Sequence, residues 1–413
     1  MTSAVPLPGD VQKDLVFWIL EIPFVVLSHI NNTMAPSATE TTTLPSRTNE
    51  SSTVRLTGNG LGEYKELAPI GYDKEAEEKG VGKFAPASYP HYLPTWGDEV
   101  YPPLEPFQHQ DHGLDADPAY PELLAPGVTK VDLTPLTGSE ITGVQLSKLS
   151  NAGKDQLARL VAERKVVAFR DQDFADLPIN EALEFGRYFG RLHIHPTSGA
   201  PAGYPEVHLV HRGAADKTAN SFFETRTSSV AWHSDVTYEQ QPPGTTFLYV
   251  LDIPETGGDT LFANGVEAYN RLSDSFKERL HGLKATHSGI EQINASRYRN
   301  GAARREPVVN VHPIVRTHPV TGEKALFVNK QFTRNIVGFK KEESDLILNF
   351  LYDHIALGAD FHARVKWAPK TVVVWDNRVA THTALVDWTG GQRRHLARIT
   401  PQAEAPFETP FKA

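Results

Sequence analysis

Residues 228–244, "SSVAWHSDVTYEQQPPG", set a histidine and an aspartate two apart in a run rich in strand-favouring residues. Side chains at i and i+2 of a strand point to the same side. A strand over "AWHSDVTYE" therefore aims the His233 imidazole and the Asp235 carboxylate at one point. Together they are two thirds of the two-histidine, one-carboxylate triad of non-haem iron(II) oxygenases, and the third ligand has to be a histidine from a distant strand. The motif alone is weak. The chain has 17 histidines and 50 acidic residues, and about two His-x-Asp/Glu matches are expected by chance at such frequencies. A second match exists, His109-Gln-Asp111, in a proline-rich stretch with no strand around it, and it reads as plain surface polarity.

The candidate third ligand lies in "TVVVWDNRVATHTALVDW" (371–388), where an apolar strand, Thr371 to Trp375, leads through a polar turn into His382. A lone histidine near a strand end is the commoner alternative. What raises His382 is the basic cluster behind it, "TGGQRRHLARITP" (389–401). Arg394 and Arg398 are four apart in a strand-like run, hence on one face, with Leu396 between them. Two guanidinium groups pointing into a barrel require anions, and bidentate carboxylate or sulfonate binding is what arginine does best. Surface arginines paired with nearby acids are the alternative.

The bulk numbers narrow the field. The net charge is −9, which argues against general nucleic-acid binding, since that needs a basic face. There is no cysteine, so disulfides, iron–sulfur clusters and cysteine nucleophiles are excluded, and any metal is held by His, Asp or Glu. A reducing, cytoplasmic setting fits. The apolar run "LVFWILEIPFVVL" (15–27) contains Glu21 and Pro23 and is shorter than a membrane span. Its lead, "GDVQKD", is net acidic where a secretory signal is basic. It reads as an upstream extension, with Met34 as the expected start. The Ser/Thr-rich stretch that Met34 opens is expected to be disordered, and the sequons at Asn31 and Asn49 read as chance matches.

Residues 1–60 are thus expected to be a disordered extension and 61–122 a Pro/Tyr-rich arm over a folded domain, or a linker. Residues 123–405 hold the periodic part and 406–413 a tail. "SNAGKDQLARLVAERK", "INEALEFGRYFG", "GVEAYNRLSDSFKERLHGL" and "KKEESDLILNFLYDHIAL" carry helical spacing. From residue 207 onward strands dominate, among them "VHLVHR", "WHSDVTYE", "GTTFLYVLDI", "DTLFAN" and "RHLARITP". The expected fold is mainly β with flanking helices, a sandwich or double-sheet jelly roll. Segment 290–306, with Arg297, Arg299, Arg304 and Arg305, reads as a long basic loop, either a lid able to close over anions or an ordinary solvated loop.

The assembled pattern resembles the taurine/sulfonate dioxygenase (TauD/TfdA) family of Fe(II)- and 2-oxoglutarate-dependent oxygenases. The likeness runs from about residue 127 to 402, through "FGRLHIHPTSG", "WHSDVTYEQQPP", "TGGDTLFAN", "HPIVRTHPVTGEKALFVN", "WDNRVATHTA" and "RRHLARITP". "YLPTW" and "RITPQAE" are similar to the fungal sulfonate/2-oxoglutarate dioxygenases within it. The resemblance implies a double-stranded β-helix, Fe(II) as metal, and 2-oxoglutarate and O2 as cosubstrates. By position, His233, Asp235 and His382 match the iron ligands. Thr260 and Arg394 match the residues that bind 2-oxoglutarate. His195 and Arg398 match positions that hold a sulfonate. The implied reaction hydroxylates the carbon next to sulfur and releases sulfite, an aldehyde, succinate and CO2. The implied partner is a small anionic sulfonate, neither nucleic acid nor membrane, and the family allows a homo-oligomer. Bacterial taurine enzymes carry an aromatic and an amide where this chain has Ser198 and Ser229. Those smaller substrate-facing groups imply a wider pocket and a range of alkyl sulfonates. The rival substrates are an alkyl sulfate, an aryloxyacetate or a purine. A non-catalytic 2-oxoglutarate sensor would lack a triad member or an arginine, and none is missing. A secreted, glycosylated binding protein is suggested by the N-terminus alone.

Overall fold

A computed structural model describes residues 72–216, 223–224, 226–298 and 301–411. The expectations for the N-terminal apolar run, Met34, the sequons and Arg299 lie outside the described residues. Among the described residues no helix is long and apolar enough to cross a membrane.

In chain order the strands are β1 (Thr129–Asp132), β2 (Ser139–Thr142), β3 (Val166–Phe169), β4 (Val207–Arg212), β5 (Thr245–Asp252), β6 (Thr260–Asn264), β7 (Lys284–Ser288) and β8 (Val309–Pro313). They continue with β9 (Val315–Thr317), β10 (Lys324–Leu326), β11 (Thr333–Ile336), β12 (His362–Val365), β13 (Val372–Asp376), β14 (Ala380–Ala384) and β15 (Arg394–Ile399). A seven-stranded sheet has the order β1-β2-β3-β13-β5-β15-β4, and a three-stranded sheet the order β12-β6-β14. A second three-stranded sheet, β11-β7-β8, and the β9–β10 pair complete the β-structure.

Alternation along the strands divides the core in two. On β13, Val372 and Val374 join a cluster with Leu157, Leu160 and Val161 of the helix Asn151–Arg164 and Leu183 and Phe185 of the helix Ile179–Arg187. Val373 and Trp375 point the other way, into a cluster with Phe262, Ala363, Val365 and Leu396 from the three-stranded sheet and β15. β13 is buried on both faces, which is why "VVVW" reads as an unbroken apolar run. The long helix starts where the Ser150 hydroxyl accepts the Gly153 N–H at 3.1 Å, the cap its sequence announced. The result is helices over one face of a large sheet, with the small sheet over the other.

Several expectations are corrected. "WHSDVTYE" is not a strand: only His233 makes a β-bridge, and 235–238 form a turn. "GVEAYNRLSDSFKERLHGL" is two helices, Gly265–Asn270 and Asp274–Leu280, broken where Ser273 caps the second through Phe276 N–H. Segment 290–306 is not a loop throughout, because Ile290–Tyr298 is a helix. The Ser288 hydroxyl accepts the Ile290 N–H and donates to Glu291, a start signal that "SGIE" does carry. Within the Pro/Tyr-rich stretch, which the expectation set as an arm over the domain, Tyr92 is fully buried in the helix-side core, and Glu77 pairs with Arg393.

The second His-x-Asp match is not surface polarity either. Asp111 pairs with the buried Arg378, whose guanidinium also binds Asp376 at 2.6 Å and Glu404 at 3.1 Å. His109, Asp111 and Glu404 lie together, but Arg378 already supplies the cation they surround. Arg378→Leu would leave three carboxylates without it, and a loss of about 3–5 kcal/mol in urea unfolding is expected for breaking a buried charge pair. Burial pushes the Glu404 carboxyl up, and Arg378 and Arg316 outweigh it, taking its pKa from 4.5 to about 2. A depressed folded pKa stabilises above 4.5 and the benefit is lost as pH falls through about 2. The unfolding midpoint should therefore fall across that window more steeply in the wild type than in Glu404→Gln.

Candidate active site

His233 and His382 meet because their backbones pair. His233 N–H donates to the His382 carbonyl at 3.0 Å and His382 N–H to the His233 carbonyl at 2.7 Å. Residues opposite each other in an antiparallel pair put their side chains on one face, and the two rings are 4.3 Å apart. Past His233 the chain leaves the ladder. The Asp235 N–H donates to Asn377 Oδ1 at 2.7 Å, and Asn377 Nδ2 donates back to the Asp235 carbonyl at 3.0 Å. Val236 takes φ +40°, a conformation that costs a β-branched residue about 1–3 kcal/mol. The turn swings the Asp235 carboxylate under both imidazoles. Its Oδ1 is 3.6 Å from His233 Nε2 and 3.8 Å from His382 Nε2. One donor atom from each residue lies within 4.8 Å of the others.

The protonation states suit a cation. Burial would raise Asp235, but Arg398 and His382 outweigh it and hold the carboxyl well below the usual carboxylate range. Burial, with His233 beside it, lowers His382 to about 3, so its ring is neutral. His233 Nδ1 is bonded to the Ala231 carbonyl at 2.8 Å, which fixes the tautomer and turns Nε2 inward. One carboxylate and two imidazoles, with no sulfur, form a donor set for a divalent first-row metal.

Arg394 stands on β15 with its guanidinium lining the same cavity. Its Nε donates to the Gly258 carbonyl at 3.0 Å. Burial, with Arg212 nearby, lowers its pKa to about 10; it remains a cation seeking an anion. Gly258 makes the seat: its φ is +71°, and a Cβ there would lie 2.9 Å from Arg394 Nε. On the resemblance's expectation that Arg394 binds 2-oxoglutarate, Gly258→Ala should raise the 2-oxoglutarate KM by about tenfold or more, as displacing a charged hydrogen-bond donor does, with the sulfonate KM little changed in steady-state assays. Thr260 opens β6 and faces the cavity. Its hydroxyl accepts from Trp367 Nε1 at 3.2 Å, leaving its own hydrogen to donate.

Arg398 lies two register steps along the same strand face. Its Nη1 binds both Asp235 oxygens at 2.7 Å and its Nη2 bonds His208 Nδ1. Its Nε is buried without a partner. His195 Nδ1 accepts the backbone N–H of Thr197 and Ser198 at 3.3 and 3.1 Å, so the ring proton sits on Nε2. His195, Ser198, His208, His233, Asp235, Thr260, His382, Arg394 and Arg398 all line one cavity of about 880 Å³. Ser229 does not line it: its hydroxyl accepts the Val386 N–H at 3.1 Å. Arg304 and Arg305 turn away from the cavity. Arg304 bonds the Ser198 and His195 carbonyls, bracing that loop, and Arg305 bonds the Pro102 carbonyl and faces Glu239. Trp96 from the arm, Val210, Leu248 and Phe332 supply apolar walls. Sequence reasoning missed His208 and these walls. The signal for His208 was its alternation with Val210 in "VHLVHR", but reading it required the β4–β15 register.

The family described as "Taurine catabolism dioxygenase TauD, TfdA family" matches residues 130–400. An α-ketoglutarate-dependent sulfonate dioxygenase of Saccharomyces cerevisiae is 46% identical over 327 residues, covering 78% of this chain and 79% of the relative. The α-ketoglutarate-dependent dioxygenase cnsM of Penicillium expansum is 43% identical over 329 residues, covering 77% and 90%. The crystal structure of a taurine dioxygenase from Burkholderia xenovorans superposes with a TM-score of 0.56 at 30% identity, covering 68% of this chain and 91% of that one. The chain belongs to the TauD/TfdA family and is a 2-oxoglutarate-dependent dioxygenase.

Proposed function

We propose that the protein hydroxylates the carbon next to sulfur of alkyl sulfonates, using Fe(II) held by His233, Asp235 and His382. The observation that carries the reading is the convergence on one cavity of that donor set with two buried guanidinium groups, Arg394 and Arg398. With 2-oxoglutarate and O2, bound Fe(II) supplies the oxidising power to insert one oxygen atom into a C–H bond while 2-oxoglutarate becomes succinate and CO2. Arg394 takes the far carboxylate of 2-oxoglutarate, and the Thr260 hydroxyl donates to a carboxylate of the same molecule. The unspent N–H groups of the Arg398 guanidinium and His195 Nε2 donate to the sulfonate, which sets the adjacent carbon toward the triad. Trp96, Leu248 and Phe332 keep water from the reacting carbon. The α-hydroxysulfonate then breaks its C–S bond, giving sulfite and an aldehyde.

The cavity favours an uncharged tail. Glu291 lines it, but its oxygens are bonded to Ser288 at 2.7 Å and Arg334 at 2.6 Å. An ammonium like that of taurine thus meets there a carboxylate already paired with Arg334. The seven- and three-stranded sheets are read as the two walls of a double-stranded β-helix within 123–405, with Trp96 of the 61–122 arm in the cavity wall and 406–413 as a tail. The absence of cysteine supports a cytoplasmic setting. The test is a substrate panel with Fe(II), ascorbate and 2-oxoglutarate, scoring sulfite and succinate together: isethionate, taurine and longer alkyl sulfonates against an alkyl sulfate and an aryloxyacetate. Equal sulfite and succinate from the sulfonates is expected. Succinate tied to another product, with no sulfite, would refute the sulfonate reading.

A further inference from the structure

We infer that His208 is a specificity-determining positioning residue, which sets the Arg398 guanidinium for the substrate anion and fills the space that Ser198 leaves; this rests on the sulfonate reading above. His208 sits on β4 directly opposite Arg398 on β15, so the two side chains share a face of the sheet. Its Nδ1 bonds Arg398 Nη2, and its Nε2 lies 2.8 Å from the Ser198 hydroxyl. Arginine has only donors, so Nδ1 must be the acceptor and Nε2 must carry the proton. The Ser198 oxygen therefore accepts from Nε2–H. The ring also packs 4.1 Å from His195, the other residue placed at the anion.

The consequence is a relay of fixed direction: Ser198, His208, Arg398. Nη1 is held by Asp235 and Nη2 by His208. That leaves the second Nη2 hydrogen and Nε as the unspent donors of a side chain that lines the cavity. Without His208 the guanidinium can rotate about its remaining contact to Asp235. The small Ser198 does not widen the pocket as its size alone suggested, because it is the acceptor that lets an aromatic ring from a different strand stand there.

The experiment compares wild type, His208→Leu and His208→Asn. Sulfonate Kd is measured by calorimetry without O2, alongside KM and kcat and the 2-oxoglutarate KM. Leucine keeps the bulk and removes the acceptor. Its sulfonate Kd and KM should rise about tenfold or more, the usual loss for a hydrogen bond to a charged group, with the 2-oxoglutarate KM unchanged. Asparagine, whose side-chain carbonyl can accept from Nη2, should restore most of the affinity. An unchanged sulfonate Kd in His208→Leu would overturn the proposal. So would a parallel loss of sulfonate and 2-oxoglutarate affinity that asparagine does not rescue, since that marks a role in folding. If the leucine variant does not fold, the asparagine variant decides: affinity within about threefold of wild type supports the relay, and a larger loss with 2-oxoglutarate binding intact points to ring packing alone and overturns it. A wild type that binds no sulfonate at all would instead sink the function reading.

Discussion

Asp235→Ala is expected to lower succinate formation by more than about 100-fold, even in iron-replete buffer. Loss of a group that merely supports a metal ligand costs about 10–100-fold, and Asp235 is the only anionic member of the proposed donor set. The substitution also strips Arg398 of the carboxylate that holds its Nη1, leaving a buried guanidinium short of a partner. Thermal unfolding of the variant separates the two effects. A folded but inactive protein matches the ligand role. Retained turnover would show that the His–Asp–His cluster is not where the chemistry occurs.

The second large effect is a crossover between two arginines. Arg398→Ala should raise the sulfonate KM by about 30-fold or more, the scale for truncating a desolvated charge partner, while the 2-oxoglutarate KM stays within about threefold. Arg394→Ala should do the reverse. The division follows from position. Arg394 sits beside Gly258 at one end of the cavity strand, and Arg398 beside His195, His208 and Asp235 at the other. Steady-state titration of each substrate against each variant measures the four constants. If both variants lose both substrates equally, the cavity has no separate anion sites.

Much of this was legible in the sequence, for unequal reasons. The apolar run of β13, the Ser150 cap and the Arg394–Leu396–Arg398 alternation depend on local periodicity, and periodicity survives in one dimension. The His233–Asp235 pair was legible as chemistry and misread as structure. Its residues favour a strand, but the side chain of Asn377, over 140 positions away, takes the backbone hydrogen bonds of Asp235 that a sheet neighbour would have taken. Nothing near Asp235 announces that partner. β14, "ATHTA", is short and mostly polar, so its burial against β6 was invisible until the small sheet formed. Arg304 and Arg305 looked like a solvated basic loop because composition records charge and not direction; their heads point to backbone carbonyls and to Glu239. The "SGIE" start of the helix Ile290–Tyr298 was available and was outweighed by a segment with only Ile293 buried.

The account stands on three residues binding one ion. Equilibrium dialysis against Fe(II) without O2, followed by metal analysis, should give one iron per chain for the wild type. Asp235→Ala and His382→Ala should retain next to none. Full iron content in either variant would contradict the account, because the ion would then have been held by other side chains all along.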